Sequence, residues 1–318
     1  MDFSVLPNQD EYYREGNFEV SDTAWELLQG ATDIHVHSTP TQDNGFVLDD
    51  FELVEEYEQG GLAGVCIKCH DFGSFFRSQI AQKYAVKGDA FKVYGSLVLS
   101  YQVGGFNPCA VESAINAGAK QIYMPTLDSA NNFQIWDTTI CYPQSSPEVA
   151  GMPMKTLQGK PGLYALDEEG NLLPEIYEIL ELVRDANIVI ASGHLSNREA
   201  RAIFRAAKDM GVKKMVHQHI DWRTSLMSIG MQREWAEMGV KMEKSFYEFN
   251  AERSLTSFAP AVGTKPSDYV MSSDQGMFPS LRALRGYACN VQEHLNGGVS
   301  PESLHVMLHE VPEFLMEG

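Results

Sequence analysis

From Asp33 onward, short apolar runs alternate with longer amphipathic segments, the pattern of repeated strand and helix units built on a parallel sheet. The runs predict strands at Thr32–His37, Gly64–Cys69, Lys92–Val98, Gln121–Pro125, Ile188–Ala191, Lys214–His217, Gly239–Glu243 and Tyr269–Ser273. Helical periodicity falls between them, at Phe51–Glu58, Phe76–Val86, Ala110–Ala117, Leu173–Asp185, Arg198–Met210, Gln232–Met238 and Pro279–Glu293. Eight such units in one chain predict a (β/α)8 TIM barrel. Asn197 stands where an N-cap would precede Arg198, and Gly211 follows Met210 where a helix would stop. Residues 126–172 interrupt the rhythm after the fourth strand, and a stretch that long reads as a lid or a small subdomain. Within it, Leu163–Leu166 and Asn171–Leu173 flank Asp167-Glu168-Glu169-Gly170 as a candidate hairpin. The expected organisation is an N-terminal extension over 1–30 packing on one barrel over 31–318, with 126–172 inserted in it.

The 318 residues can bury a sizeable core, and 44% apolar content is ordinary for a globular chain. Charge narrows the partners. Lys and Arg number 24 against 43 Asp and Glu, and the net charge of −19 repels phosphate backbones and anionic lipid surfaces. The expected partner is a small-molecule substrate, with no nucleic acid and no membrane, while homo-oligomerisation stays open. Five cysteines, an odd and sparse set, fit a reducing compartment better than a disulfide framework. The first twenty residues carry no basic start followed by an apolar run, so the expected location is cytoplasmic.

The chemistry concentrates at strand ends. In Asp33-Ile34-His35-Val36-His37-Ser38, alternation places Ile34 and Val36 on one face and His35 and His37 on the other. Two imidazoles in a buried parallel strand need polar partners, either hydrogen bonds within the core or a transition metal. Strand five ends in Gly193-His194, strand six in His217-Gln218-His219-Ile220-Asp221, and strand eight in Ser273-Asp274-Gln275. In a barrel these C-terminal ends meet at one rim, where active sites of this fold are built. On strand two, alternation sends Lys68 and His70 to one face, into the barrel. His217 and His219 also read as sharing a face, with His217 one layer deeper. Cys66 and Cys69 have Cys-x-x-Cys spacing but no second pair, and read as small buried side chains. Arg77, Tyr101, Trp222 and Arg223 follow rim strands and are weaker candidates for substrate contact.

This ordered set resembles the amidohydrolase superfamily of metal-dependent barrels, and the Lys-x-His pair on strand two resembles an uncharacterised branch of it. The resemblance covers most of the chain. It implies that His35, His37, His194 and Asp274 are metal ligands, with Asp274 also the catalytic base and His219 a second catalytic group. Val311-Pro312-Glu313-Phe314-Leu315 is similar to a drifted form of the closing helix of that superfamily. Many members carry a bridging lysine carbamate or glutamate at the end of strand four. Here that strand reads Gln121-Ile122-Tyr123-Met124-Pro125-Thr126, which offers none and favours one ion over two. Lys68 is then a carbamate ligand, a cation for a substrate carboxylate or a structural partner of Asp33, the last two ranking first. His70 and His217 remain open between ligation and hydrogen bonding.

Three imidazoles and a carboxylate suit Zn²⁺ or another borderline divalent ion. Such an ion with an open position activates water for attack on a carbonyl carbon. The expected activity is hydrolysis of an amide, cyclic amide or lactone. Single-zinc decarboxylases of the same superfamily share the ligand set, so decarboxylation of a small carboxylic acid is the alternative. A non-enzymatic metal-binding barrel ranks last, because all the principal positions are filled.

Overall fold

The computed structural model describes residues 12–41, 48–136, 156, 159–246, 257–276 and 281–318. Eight strands, β1 (Thr32–His37), β2 (Gly64–Lys68), β3 (Lys92–Val98), β4 (Ala119–Tyr123), β5 (Val189–Ala191), β6 (Met215–His217), β7 (Lys241–Ser245) and β8 (Tyr269–Ser272), pair in parallel in sequence order. The seam between β8 and β1 is bridged just beyond β8, where Asp274 N–H donates to His35 C=O and His37 N–H donates to Gln275 C=O, each at 2.8 Å. This is a (β/α)8 barrel, as the alternation predicts.

The outer helices form where apolar stripes meet capping residues. They include α1 (Asp22–Leu28), α2 (Asp50–Gln59), α3 (Phe75–Tyr84), α4 (Pro108–Asn116), α5 (Ala130–Trp136), α6 (Pro174–Ala186), α7 (Asn197–Met210), α8 (Ile229–Met238) and α9 (Ala283–Asn296). Asp49 caps α2 through a reciprocal box with Glu52. In α7 the cap is Ser196 rather than Asn197, because the Ser196 hydroxyl accepts from Glu199 N–H while the Glu199 carboxylate reaches back to Ser196. Gly211 ends that helix at φ 87°, as expected.

Two apolar layers hold the barrel. The larger lies between strands and helices, with Leu53, Val65, Ile122, Ile179, Phe204 and Trp235 among its buried members. The smaller fills the barrel interior with Ile34, Cys66, Tyr123, Val189, Val216 and Val270, and is closed by Val311, Leu315 and Met316 of the C-terminal helix. The site therefore has to be sought at the opposite, C-terminal mouth.

The simple alternation predicted for β1 fails at one point. Asp33 pairs with Val65 but Val36 pairs with Ile67, so three steps along β1 face two along β2, the signature of a bulge. As a result Ile34 joins the interior cluster while Val36 packs in the outer layer, and the two do not share a face. Within 126–172, the described residues carry a helix and two bridges. Helix α5 starts four residues after Thr126, Leu163 bridges to Ser129, and Leu166 pairs antiparallel with Leu172 as the hairpin predicts. Cys141 lies outside the described residues. Tyr13 and Phe18 pack with Phe246, Leu281 and Cys289, tying the segment before α1 to the barrel. No helix among the described residues is long and apolar enough to cross a membrane.

Candidate metal centre

Each side chain of the site is delivered by a strand end with unusual backbone. The β1 bulge turns His35 inward, and His37 follows on the same side. Beyond β5, Gly193 has φ 58°, and a Cβ there would lie 2.2 Å from the Met124 carbonyl oxygen, so only glycine lets the strand end approach β4 this closely. His194 N–H then donates to Pro125 C=O at 2.9 Å, fixing the imidazole at the rim. His219 and Asp274 both adopt left-handed backbone, φ 59° and 46°, which non-glycine residues rarely do outside sites where the surroundings enforce it. Gly276 at φ 125° lies against the His37 carbonyl and lets the chain after Asp274 pass over β1.

These devices bring His35, His37, His219 and Asp274 together. Asp274 Oδ1 lies 2.8 Å from His35 Nε2 and 3.0 Å from His37 Nε2, while Oδ2 lies 3.7 Å from His219 Nδ1. The His194 ring stands 5.1 Å from that of His219, with its Nδ1 3.2 Å from the Asn132 side-chain oxygen. That bond makes Nδ1 the donor and leaves Nε2 with its lone pair. Among the described residues, ligating atoms of His35, His219 and Asp274 all lie within 4.8 Å of one another, and all three residues are buried.

Residues that sequence reasoning did not single out complete the surroundings. Glu243, fully buried on β7, holds His35 Nδ1 at 2.8 Å and accepts from the Ser272 hydroxyl. Its signal is faint, a single acid in the strand Lys241-Met242-Glu243-Lys244-Ser245. Asn132 and Gln218, whose Nε2 lies 3.3 Å from His35 Nδ1, were likewise indistinguishable from ordinary polar residues. Asp33 sits behind the site, accepting from Tyr57 OH and from the backbone N–H groups of His35 and Ser273.

Lys68 is placed inward, as alternation predicts, but its partner is not Asp33. Its Nζ lies 2.8 Å from His35 Nε2, and Asp33 is already held by Tyr57 and two backbone amides. His70 stacks on His37 at 4.7 Å and bonds through Nδ1 to the Thr126 hydroxyl. His217 does not share a face with His219. Its ring packs between Phe204 and Trp235, outside the barrel, because β6 ends at His217 and the left-handed turn at His219 breaks the alternation. Trp222 stands edge-on to both His194 and His219, at 5.5 and 5.2 Å, and Arg223 follows it half-buried. Arg77 is committed elsewhere, forking onto Asp50 and reaching Ser38. Tyr101 bonds through its hydroxyl to Pro161 C=O, with Lys160 over its ring.

Electrostatics follow from burial and the carboxylates. Desolvation pushes down His37 and His219, both to about 4, and drives His70 and His194 well below the usual histidine range. His35 is the exception. Burial opposes its charge, but Asp274 and Glu243 outweigh that and raise it. Burial would raise Asp274, yet His35 and its neighbours hold it well below the carboxylate range. The same balance lowers Glu243, and burial lowers Lys68. The imidazoles of His37, His194 and His219, kept neutral by burial, and two ionised, buried carboxylates form a donor set that a divalent cation fits, since it meets both the lone pairs and the negative charge and would replace the proton the carboxylates favour on His35.

The fold is shared with solved structures of low sequence identity. An amidohydrolase from Pseudomonas aeruginosa is 10% identical at a TM-score of 0.54, with 95% of this chain and 100% of that one covered. Dihydroorotase from Saccharomyces cerevisiae, solved with 5-fluoroorotic acid, is 15% identical at 0.52, with 92% and 85% covered. An organophosphorus hydrolase from Deinococcus radiodurans is 12% identical at 0.54, with 92% and 93% covered. At these identities the likeness shows the barrel fold. No curated protein matches the sequence. A family model does match over residues 30–243, from the start of β1 into β7, and the chain belongs to that family, DUF6282, a family of unknown function.

Proposed function

We propose that the protein is a metal-dependent hydrolase that uses one Zn²⁺ ion to cleave an amide, cyclic amide or lactone in a small molecule. The observation that carries this reading is the buried convergence of His35, His37 and His219 on Asp274 at the C-terminal mouth of the barrel. His35, His37, His194 and Asp274 would hold the ion, which supplies Lewis acidity and water activation when bound. Asp274 Oδ2, turned away from the two β1 histidines, takes the proton of the attacking water and returns it to the leaving group. His219 faces the substrate carbonyl and stabilises the charge that develops on its oxygen. Trp222, edge-on to His194 and His219, walls the pocket and orients the substrate. The names of the fold relatives, an amidohydrolase, a dihydroorotase and an organophosphorus hydrolase, support hydrolysis as the reaction class.

Decarboxylation of a small carboxylic acid is the second reading, favoured by β4. Thr126 stands just past its end where a bridging acid or lysine would be, and its hydroxyl is taken by His70. Elemental analysis of protein purified without chelator tests the metal, with about one ion per chain expected. Turnover of lactones, cyclic amides and aromatic acids by the zinc-loaded protein then separates the two reactions by water uptake against carbon dioxide release. Absence of metal binding would remove both readings.

A further inference from the structure

Helix α3 is apolar on two faces. Its inner face packs tightly on the barrel, with Ala81 buried and Phe75 so close to β3 that a Cβ on Gly95 would lie 2.4 Å from the Phe75 Cα. Its outer face carries Phe76, Ile80 and Tyr84, 64, 52 and 69% exposed and four residues apart, so they form one row. Phe72 before the helix and Val86 after it are also exposed, and Phe51 of α2 joins the row through an edge contact with Tyr84 at 5.1 Å. An outer helix in a one-layer shell should be polar toward solvent. From their exposures the six residues sum to on the order of 700 Å², above the roughly 300–600 Å² of the largest apolar patch on a typical monomer and close to the ~800 Å² each partner gives a standard interface.

Charge indicates the occupant. In a chain of net charge −19, the stretch Phe72–Lys87 has no Asp or Glu. Two copies repel each other over most of their surface, and this acid-free stretch offers a place where they can meet. Its exposed cations are Lys83 on α3 and Lys87 just after it, and the exposed acids Glu52 and Glu55 lie on the neighbouring α2. A twofold interface must be self-complementary, and a surface with an apolar row between a cation and acids meets that condition. We propose that this face binds a second copy of the chain, with the two α3 rows antiparallel and Lys83 of each copy against the Glu52 and Glu55 edge of the other. The interface reaches the site through Phe72, because the loop from His70 to Ser74 carries both the dimer contact and the imidazole stacked on His37. This inference does not depend on the proposed reaction.

Sedimentation velocity of the full chain at micromolar concentration and moderate salt should show a species of twice the chain mass. Ile80→Glu, at an exposed position in the middle of the row, should weaken dimerisation by about 100-fold or more with the thermal midpoint of the monomer preserved. Lys83→Glu should weaken it less, and adding Glu55→Lys in the same chain should restore it. A monomeric parent chain, or a dimer indifferent to Ile80→Glu, overturns the proposal. So does a double charge variant no tighter than Lys83→Glu alone. A monomer that pellets with phosphatidylserine vesicles would also overturn it and assign the face to a membrane surface.

Discussion

Glu243 Oε1 lies 2.8 Å from His35 Nδ1, so the side of the imidazole facing away from Asp274 is gripped by a second buried carboxylate. A carboxylate in this position fixes the tautomer, presents Nε2 as the ligating atom and raises its basicity. Glu243→Gln keeps the shape but weakens that grip. It should lower zinc affinity by about 10- to 100-fold, measured by competition with a chromophoric chelator. Unchanged affinity would mean that His35 does not ligate through Nε2.

Lys68 meets that same Nε2, at 2.8 Å. An ammonium and a divalent ion cannot use one lone pair, so zinc held by Nε2 would compete with the lysine. Lys68→Met, of similar length and without charge, should tighten zinc binding by about tenfold, or ~1.4 kcal/mol, in the same chelator assay. Loss of zinc in this variant would instead identify Lys68 as a ligand through a carbamate.

Much of this arrangement was legible because residue type and strand position coincide in His35, His37, His194 and Asp274. Period-two alternation correctly turned Lys68 and His70 inward, since β2 pairs with β3 without a register shift. It misplaced Ile34, because a bulge adds a residue without marking the sequence. It misplaced His217 for a related reason, since the left-handed turn at His219 lies beyond the strand and restores one imidazole to the site while its neighbour stays outside. Glu243 stayed unseen because an acid in a short charged strand looks like a solvent-facing residue. Its burial is decided by β7 closing onto β8, a long-range event.

Asp274 combines two positions in one carboxylate, with Oδ1 toward the β1 histidines and Oδ2 toward His219. Asp274→Asn keeps the volume and removes the base. With a substrate in hand, turnover should fall by about two to four orders of magnitude while the thermal unfolding midpoint stays near that of the parent. A variant within a few-fold of the parent would transfer the role of base to His219.

The acid limit of stability is set in part far from the site, on α9. His294 is buried against the edge of Phe258 and donates from Nδ1 to Asn290 C=O at 2.8 Å. Burial, with Lys244 adding to it, pushes the imidazole from 6.5 down to about 3 in the folded chain. A depressed histidine favours folding above its unfolded value, and that contribution is lost as pH falls, because the unfolded chain takes up the proton first. The stabilisation should therefore be complete above pH 6.5 and decline toward pH 3, by an amount on the order of 5 kcal/mol. Across that window, urea midpoints of the parent should fall steeply. His294→Gln should start roughly 1–2 kcal/mol less stable at neutral pH, from lost packing, yet fall less steeply as acid is added. A slope identical to the parent's would show that His294 stays neutral in the unfolded chain or is charged in the folded one, and would move the acid sensitivity to the buried histidines of the barrel mouth.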